Sequence, residues 1–145
     1  MRKLTRTAFA IATCFVAVTA LVACTQTGYQ AIDASQAKSM IDSNTEVVIL
    51  DVRTQEEFDQ GHIPDAVLLP ASDISTQASE LLPDKDVFIL VYCRSGNRSV
   101  TAAQMLVDLG YRHVFEFGGI VDPPWPYELQ GELQGELQGE LHPNQ

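Results

Sequence analysis

The chain is poor in cysteine, histidine and basic residues. Its 145 residues include three Cys, three His and nine Lys or Arg, against 19 Asp or Glu. The formal net charge of −10 argues against nucleic acid as a partner, because such binding depends on basic surfaces. The histidines, His62, His113 and His142, are dispersed without the spacing of metal ligands, so neither a metal site nor another cofactor is expected.

A long hydrophobic run is also missing. After Arg2, Lys3 and Arg6, an uncharged apolar stretch covers residues 8–23, which is short for a helix that spans a membrane. A basic start followed by a short apolar segment is typical of a secretory signal. The sequence therefore predicts export of the protein.

The end of this stretch, Leu-Val-Ala-Cys at residues 21–24, resembles the lipobox of bacterial lipoproteins. The resemblance implies that residues 1–23 are a signal peptide and that Cys24 becomes the lipid-bearing N-terminus, with palmitate among its acyl chains. The protein would then be anchored to a bacterial membrane and face the periplasm or the outside. Thr25 after the cysteine fits sorting to an outer membrane. An ordinary signal peptide and an uncleaved anchor are the alternatives.

Such processing would leave a single free thiol. Cys14 would be removed with the signal and Cys24 would be blocked by lipid, so Cys93 would have no disulfide partner. An unpaired thiol in an oxidising compartment is a liability unless it is buried or used. Cys93 is therefore the candidate for a functional thiol.

Apolar runs alternate with amphipathic segments along the middle of the chain. The predicted strands span residues 46–52, 66–70, 87–92 and 113–117, with a further short one near 29–32. The predicted helices begin after Asp33 or Ser35, span 54–61, end before Pro83, and span 99–110. This alternation predicts an α/β domain with a mostly parallel sheet and helices on both faces.

The two ends of the chain differ from this middle part. Residues 24–29 are interpreted as a tether. Residues 128–145 contain Glu-Leu-Gln-Gly three times and are predicted to form a low-complexity, mostly disordered tail. The predicted folded domain is therefore residues 30–127.

A single cysteine stands at the carboxyl end of a predicted apolar strand. The loop that follows, Arg-Ser-Gly-Asn-Arg-Ser at residues 94–99, leads into a helix. The backbone N–H groups of such a turn, the helix N-terminus, Arg94 and Arg98 would all favour the charged form of Cys93. The pattern predicts a reactive thiolate, and a buried structural cysteine is the alternative.

Three blocks of sequence share their order with a known family. They are the segment from Asp51-Val52-Arg53 to Gly61-His62-Ile63-Pro64, the Cys93 loop with its helix, and VFEFGGIVDPPWPYE at residues 114–128. Together they resemble the single-domain rhodaneses, sulfurtransferases whose fold is a parallel sheet flanked by helices. Asp65 departs from the glycine usual there, but Asp tolerates turn conformations. His62 is expected to be a structural turn residue rather than a base.

The resemblance implies a chemical mechanism. The Cys93 thiolate would take a sulfane sulfur from thiosulfate or from a persulfide or polysulfide, and would pass it to a thiol or to cyanide. The implied substrate-binding residues are Arg94, Ser95, Gly96, Asn97, Arg98 and Ser99. The two arginines would attract an anionic donor or orient the loop. Asp51 and Arg53 would support the loop, Asp51 by pairing with an arginine, although Arg53 could instead form part of a charged site rim.

Two other functions are open at this point. A persulfide carrier, sensor or docking module at the membrane would use the same cysteine without turnover. A phosphatase or arsenate reductase would also use a cysteine loop, but those enzymes have one residue more than the four that separate Cys93 from Arg98. The smaller ring of amides suits one sulfur atom better than a tetrahedral oxyanion.

Overall fold

The chain folds as alternating strands and helices in a computed structural model that describes residues 28–43, 46–121 and 124–131. The strands are β1 (Gln30–Ala31), β2 (Val47–Asp51), β3 (Val67–Leu68), β4 (Phe88–Cys93) and β5 (His113–Gly119). The helices are α1 (Ala34–Asp42), α2 (Gln55–Gln60), α3 (Ile74–Leu81) and α4 (Asn97–Asp108). No helix within these three ranges is long and apolar enough to cross a membrane.

The strands form one parallel sheet in the order β1-β5-β4-β2-β3. The central strand, β4, is buried from residue 89 to residue 93, as expected for a strand covered on both faces. Residues of α3 and α4 cover one face, where the core includes Ala78, Val91 and Leu106. On the other face, Ala37 of α1 and the later Trp125 join a second core cluster. The predicted α/β fold with flanking helices is therefore confirmed.

Local sequence signals explain where the helices begin. Thr54 caps α2 in a reciprocal capping box with Glu57, as the spacing predicts. Asp33, rather than Ser35, caps α1. Helix α4 begins two residues before the predicted Ser99, because Gly96 takes a left-handed conformation (φ 96°) and serves as the N-cap. Asp65 also has a positive φ, of 64°, which fits the turn tolerance expected of it.

The first Glu-Leu-Gln-Gly unit, residues 128–131, lies against the domain. Leu129 is buried in the second core cluster, and Gln130 exchanges two backbone hydrogen bonds of 2.7 Å with His62. Gly131 packs so closely that a Cβ there would lie 2.7 Å from Gly61 Cα. The folded domain thus extends to residue 131, beyond the predicted boundary at 127. The tail from residue 132 onward lies outside the described residues, as do residues 1–27.

Candidate active site

Cys93 is the last residue of the central strand β4 and is 1% exposed. The carboxyl ends of parallel strands are where sites form in open α/β sheets. Asp51 ends the neighbouring strand β2, and Gly119 of β5 pairs with Cys93 across a shift in register. The strand order therefore places the thiol in the middle of the functional edge of the sheet.

Hydrogen-bonding groups after β4 surround this thiol. The amide of Gly96 donates to Cys93 Sγ over 3.1 Å, and the thiol donates to Ser99 Oγ over 3.6 Å. The turn depends on glycine because Gly96 has a φ of 96°, a left-handed conformation that other residues rarely adopt. The loop thus closes around one sulfur atom at the start of α4.

The pKa of the Cys93 thiol is held below its ordinary value. Burial by itself raises this pKa, but the Ser99 hydroxyl and the backbone N–H groups of Ser99, Ser95 and Gly96 lower it by more. Donors of this kind stabilise a thiolate, which is the nucleophilic form of cysteine. The predicted reactive thiolate therefore has a physical basis in the loop itself.

Arg98 is not a free cation, because it forms an ion pair with Glu57. Its guanidinium donates two hydrogen bonds of 2.7 Å to Glu57, which lies 41 residues earlier in the chain. This pair links the N-terminus of α2 to the first turn of α4. Of the two roles predicted for Arg98, orientation of the loop is the one that its contacts support.

Arg94 differs from Arg98. Arg94 follows Cys93 in the chain and is exposed to solvent. Its side chain has no ion pair or hydrogen bond within the described ranges. Ser95 and Asn97 are also exposed, whereas Ser99 is buried beneath the loop. The predicted substrate-binding residues thus divide into an outward-facing group and an inward-facing group.

Asp51 and Arg53 form a buried ion pair. Arg53 is 1% exposed, and its guanidinium donates to Asp51 Oδ2 over 2.6 Å and to the carbonyl of Gly61 over 2.7 Å. The Tyr92 hydroxyl accepts a hydrogen bond of 3.3 Å from the Ile63 amide, and burial together with the charge of Asp51 raises the pKa of that hydroxyl so that it stays protonated. Asp51 pairs with an arginine as predicted. The alternative that placed Arg53 on the site rim is wrong, because its guanidinium is buried and donates its hydrogen bonds to Asp51 and to the Gly61 carbonyl.

Glu116 is a site residue that the sequence reasoning missed. It lies on β5, is 7% exposed, and accepts a hydrogen bond of 2.6 Å from Ser99 Oγ. Alternation along β5 was the available signal, since it places Glu116 on the same face as the core residue Val114. The contact between Glu57 and Arg98 has no local signal, because the spacing of Glu57 from Thr54 indicates only a capping residue.

The Glu57–Arg98 pair makes stability depend on pH. Hydrogen bonding from Arg98, opposed by burial and aided by the Thr54 amide, lowers the pKa of Glu57 to about 2. A depressed carboxyl pKa gives stability that is present above the unfolded value near 4.3 and is lost as pH falls toward 2. Because Arg98 is 36% exposed, solvent screening reduces the contribution of the Glu57–Arg98 pair to the free energy of unfolding to about 1–2 kcal/mol.

We therefore expect Glu57→Gln to lower the free energy of unfolding by about 1–2 kcal/mol at pH 7, measured by urea denaturation. The glutamine keeps the capping box and removes only the charge. The difference from the parent chain should shrink between about pH 4.5 and pH 2. Asp86→Asn, at the exposed pair with Arg112, is the matched control and should change little. Equal stability of Glu57→Gln and the parent at pH 7 would contradict this account.

Comparison with known proteins places this geometry in a family. Residues 33–122 match the family described as rhodanese-like domain. A sulfurtransferase of Allochromatium vinosum is 40% identical over 91 residues, covering 62% of this chain and 83% of that protein. The thiosulfate sulfurtransferase PspE of Escherichia coli is 34% identical over 77 residues, covering 53% and 74%. A putative sulfur carrier protein of Bacillus subtilis, YrkF, is 36% identical over 77 residues, covering 53% of this chain and 40% of that protein.

Solved structures agree with the fold. The Alr3790 protein of Anabaena aligns with a TM-score of 0.63 at 29% identity, covering 75% of this chain and 99% of that one. A structure described as rhodanese with anions from E. coli aligns with a TM-score of 0.54 at 28% identity, covering 59% and 98%. The match to the family spans more than half of the chain and includes the strand, loop and helix that hold Cys93. The chain belongs to the rhodanese-like domain family.

Proposed function

We propose that this protein is a sulfurtransferase that carries sulfane sulfur on Cys93. The observation that carries the proposal is the buried Cys93 sulfur, which accepts the Gly96 amide hydrogen bond and has a lowered pKa. A thiolate at this position is a ready nucleophile, and the surrounding N–H groups can stabilise the charge of a terminal persulfide sulfur. The sulfurtransferase names of the A. vinosum and E. coli relatives support this choice.

The proposed reaction has two steps. The Cys93 thiolate attacks the outer sulfur of thiosulfate, the sulfur–sulfur bond breaks, and sulfite leaves with the bonding electron pair. Cyanide or a thiolate acceptor then attacks the outer sulfur of the Cys93 persulfide and departs with it as thiocyanate or a new persulfide. The Cys93 thiolate is regenerated, so the cycle needs no external oxidant or reductant and follows ping-pong kinetics.

The first step can be tested by mass spectrometry. After incubation with thiosulfate, the parent chain should gain the mass of one sulfur atom on Cys93, and addition of cyanide should remove it. Cys93→Ser, shown by circular dichroism to be folded, should gain no mass and form no thiocyanate. A folded parent chain that gains no sulfur from thiosulfate or from a persulfide donor would refute the proposed function.

Arg94 is proposed to recruit the anionic donor, since Arg98 is already paired with Glu57. An exposed cation beside the thiol raises the local concentration of an anion, and this effect is screened by salt. An anionic donor is consistent with the similar solved structure that is described as rhodanese with anions from E. coli. The proposed donor is therefore a small anion such as thiosulfate.

Arg94→Ala is expected to raise KM for thiosulfate by about 5- to 10-fold and to change kcat less, because it removes attraction rather than chemistry. The difference from the parent should narrow as ionic strength rises. Arg112→Ala removes the same charge at the start of β5, at the opposite end of the sheet, and should leave KM unchanged. Equal effects of the two substitutions would refute the role given to Arg94.

A persulfide carrier is the second candidate, favoured by the similarity to the putative sulfur carrier protein of B. subtilis. A carrier and an enzyme would form the same Cys93 persulfide, and they differ in turnover. Release of many thiocyanate molecules per protein would support the enzyme. A single transfer that is renewed only by a protein donor would support the carrier.

We also propose that the protein is anchored through lipid on Cys24. The basic start, the apolar stretch over residues 8–23 and the Leu-Val-Ala-Cys ending support this location. A lipid on Cys24 would leave only a few residues before β1 at Gln30, so the site would work close to the membrane surface. Its donors and acceptors would then be molecules outside the cytoplasm.

Metabolic labelling tests the anchor. The full chain, expressed in a bacterium, should incorporate labelled palmitate and sediment with membranes. Cys24→Ser should lose the label and the membrane attachment, whereas Cys14→Ser, within the predicted signal, should keep both. Membrane attachment of unlabelled Cys24→Ser protein would contradict the proposed anchor.

A further inference from the structure

Glu116 is a buried carboxylate next to the reactive sulfur. It pairs in register with Val91 of β4, two residues before Cys93, and is 7% exposed. Residues i and i+2 of a strand face the same side of a sheet, so Glu116, Val91 and Cys93 all lie on the side covered by α4. The proposed sulfur transfer, as described above, gives this carboxylate no role.

The environment of Glu116 does not neutralise its charge. Its Oε1 accepts hydrogen bonds from Ser99 Oγ at 2.6 Å and from the Gly118 amide at 2.8 Å. Within the described ranges it forms no ion pair with a Lys, Arg or His. A buried charge without a counter-ion is costly, and two hydrogen bonds offset only part of that cost.

Ser99 connects this carboxylate to the sulfur. Its Oγ lies 2.6 Å from Glu116 Oε1, 2.8 Å from the Gly96 carbonyl and 3.6 Å from Cys93 Sγ. A hydroxyl carries one proton, so Ser99 cannot donate to Glu116 and to Cys93 at the same time. When Glu116 is charged it takes the Ser99 proton, and the Cys93 thiol then donates to the Ser99 oxygen. When Cys93 is charged, Ser99 can donate to its sulfur only if Glu116 no longer accepts the Ser99 hydrogen bond.

We propose that Cys93 and Glu116 share one proton through the hydroxyl of Ser99. When the thiolate forms, the Cys93 S–H bond breaks, its proton moves to Ser99 Oγ, and the Ser99 proton moves to Glu116 Oε1. The site keeps one negative charge throughout, and that charge moves from the carboxylate to the sulfur. Glu116 is thus a positioning residue and internal proton acceptor for the proposed sulfur transfer, on whose reactive thiolate this inference rests.

The other charged groups around Cys93 and Glu116 are paired with each other or exposed, so the proton exchange between Cys93 and Glu116 is the main titration at this site. Arg98 interacts with the charge of Cys93 and is itself balanced by Glu57. Asp51 and Arg53, at the end of β2, balance each other. Beyond β1, Asp33 is exposed and caps α1. Loss of both protons would place two negative charges on either side of one hydroxyl, which is unfavourable, so the pair should titrate in two separate steps.

The test follows the ultraviolet absorbance of the thiolate against pH in the folded chain, with Cys93→Ser as the blank. In the parent chain we expect two steps separated by a partial plateau, because one proton stays within the pair. Glu116→Gln should give a single step to full amplitude. Glu57→Gln, which removes a different carboxylate near the loop, should retain both steps even where their midpoints shift. A single step in the parent chain, with the same shape as in Glu116→Gln, would overturn the proposal.

Infrared spectroscopy gives a second readout that a purely structural role for Glu116 would not change. At the pH of the plateau, the parent chain should show the band of a protonated buried carboxyl. Cys93→Ser should lack this band, since no thiolate is present to displace the proton onto Glu116. A band of equal size in both chains, or in neither, would overturn the proposal even if Glu116→Gln failed to fold. Neither measurement uses a sulfur donor, so their failure is distinct from failure of Cys93 to accept sulfur.

Discussion

The hydrogen bond from the Gly96 amide to Cys93 Sγ is the interaction on which the rest of the site depends. It exists because β4 ends in the middle of a parallel sheet and only three residues separate Cys93 from the start of α4. Burial alone would raise the pKa of the thiol, and the Ser99 hydroxyl together with the amides of this turn outweighs that effect. A left-handed Gly96 is what allows so short a connection, since other side chains rarely adopt that conformation.

Charged side chains from other elements hold the turn in place. Glu57 of α2 fixes Arg98 in the first turn of α4, and Glu116 of β5 fixes Ser99 beneath the loop. The buried pair of Asp51 and Arg53 does not contact the cysteine loop directly. It holds the turn at Gly61, after α2, through the hydrogen bond from Arg53 to the Gly61 carbonyl. A site for a single anionic sulfur is therefore surrounded by carboxylates, and it stays favourable for negative charge because backbone amides face the sulfur directly.

Most of the fold could be predicted from the sequence, because it rests on local patterns. The apolar runs, the capping box at Thr54 and the glycine in the cysteine loop identified the strands, the start of α2 and the turn. The sequence left alternatives open where a residue had more than one physical option. Arg53 could face solvent or an internal carboxylate, and the burial of Asp51 decided for the carboxylate. Leu129 lies in a repeat that reads as low-complexity, yet the domain offers it an apolar contact.

The sequence by itself determined that Cys93 ends a buried strand, that a glycine turn follows it and that strands alternate with helices along the chain. These features depend on neighbours within a few residues, such as the amides of a turn or a cap three positions away. Only the tertiary structure decided that Arg98 pairs with Glu57 and that Ser99 donates to Glu116. The first contact joins residues 41 positions apart and the second joins residues 17 positions apart. No local rule selects one acidic partner among 19. Packing of α2, α4 and β5 around β4 makes that selection.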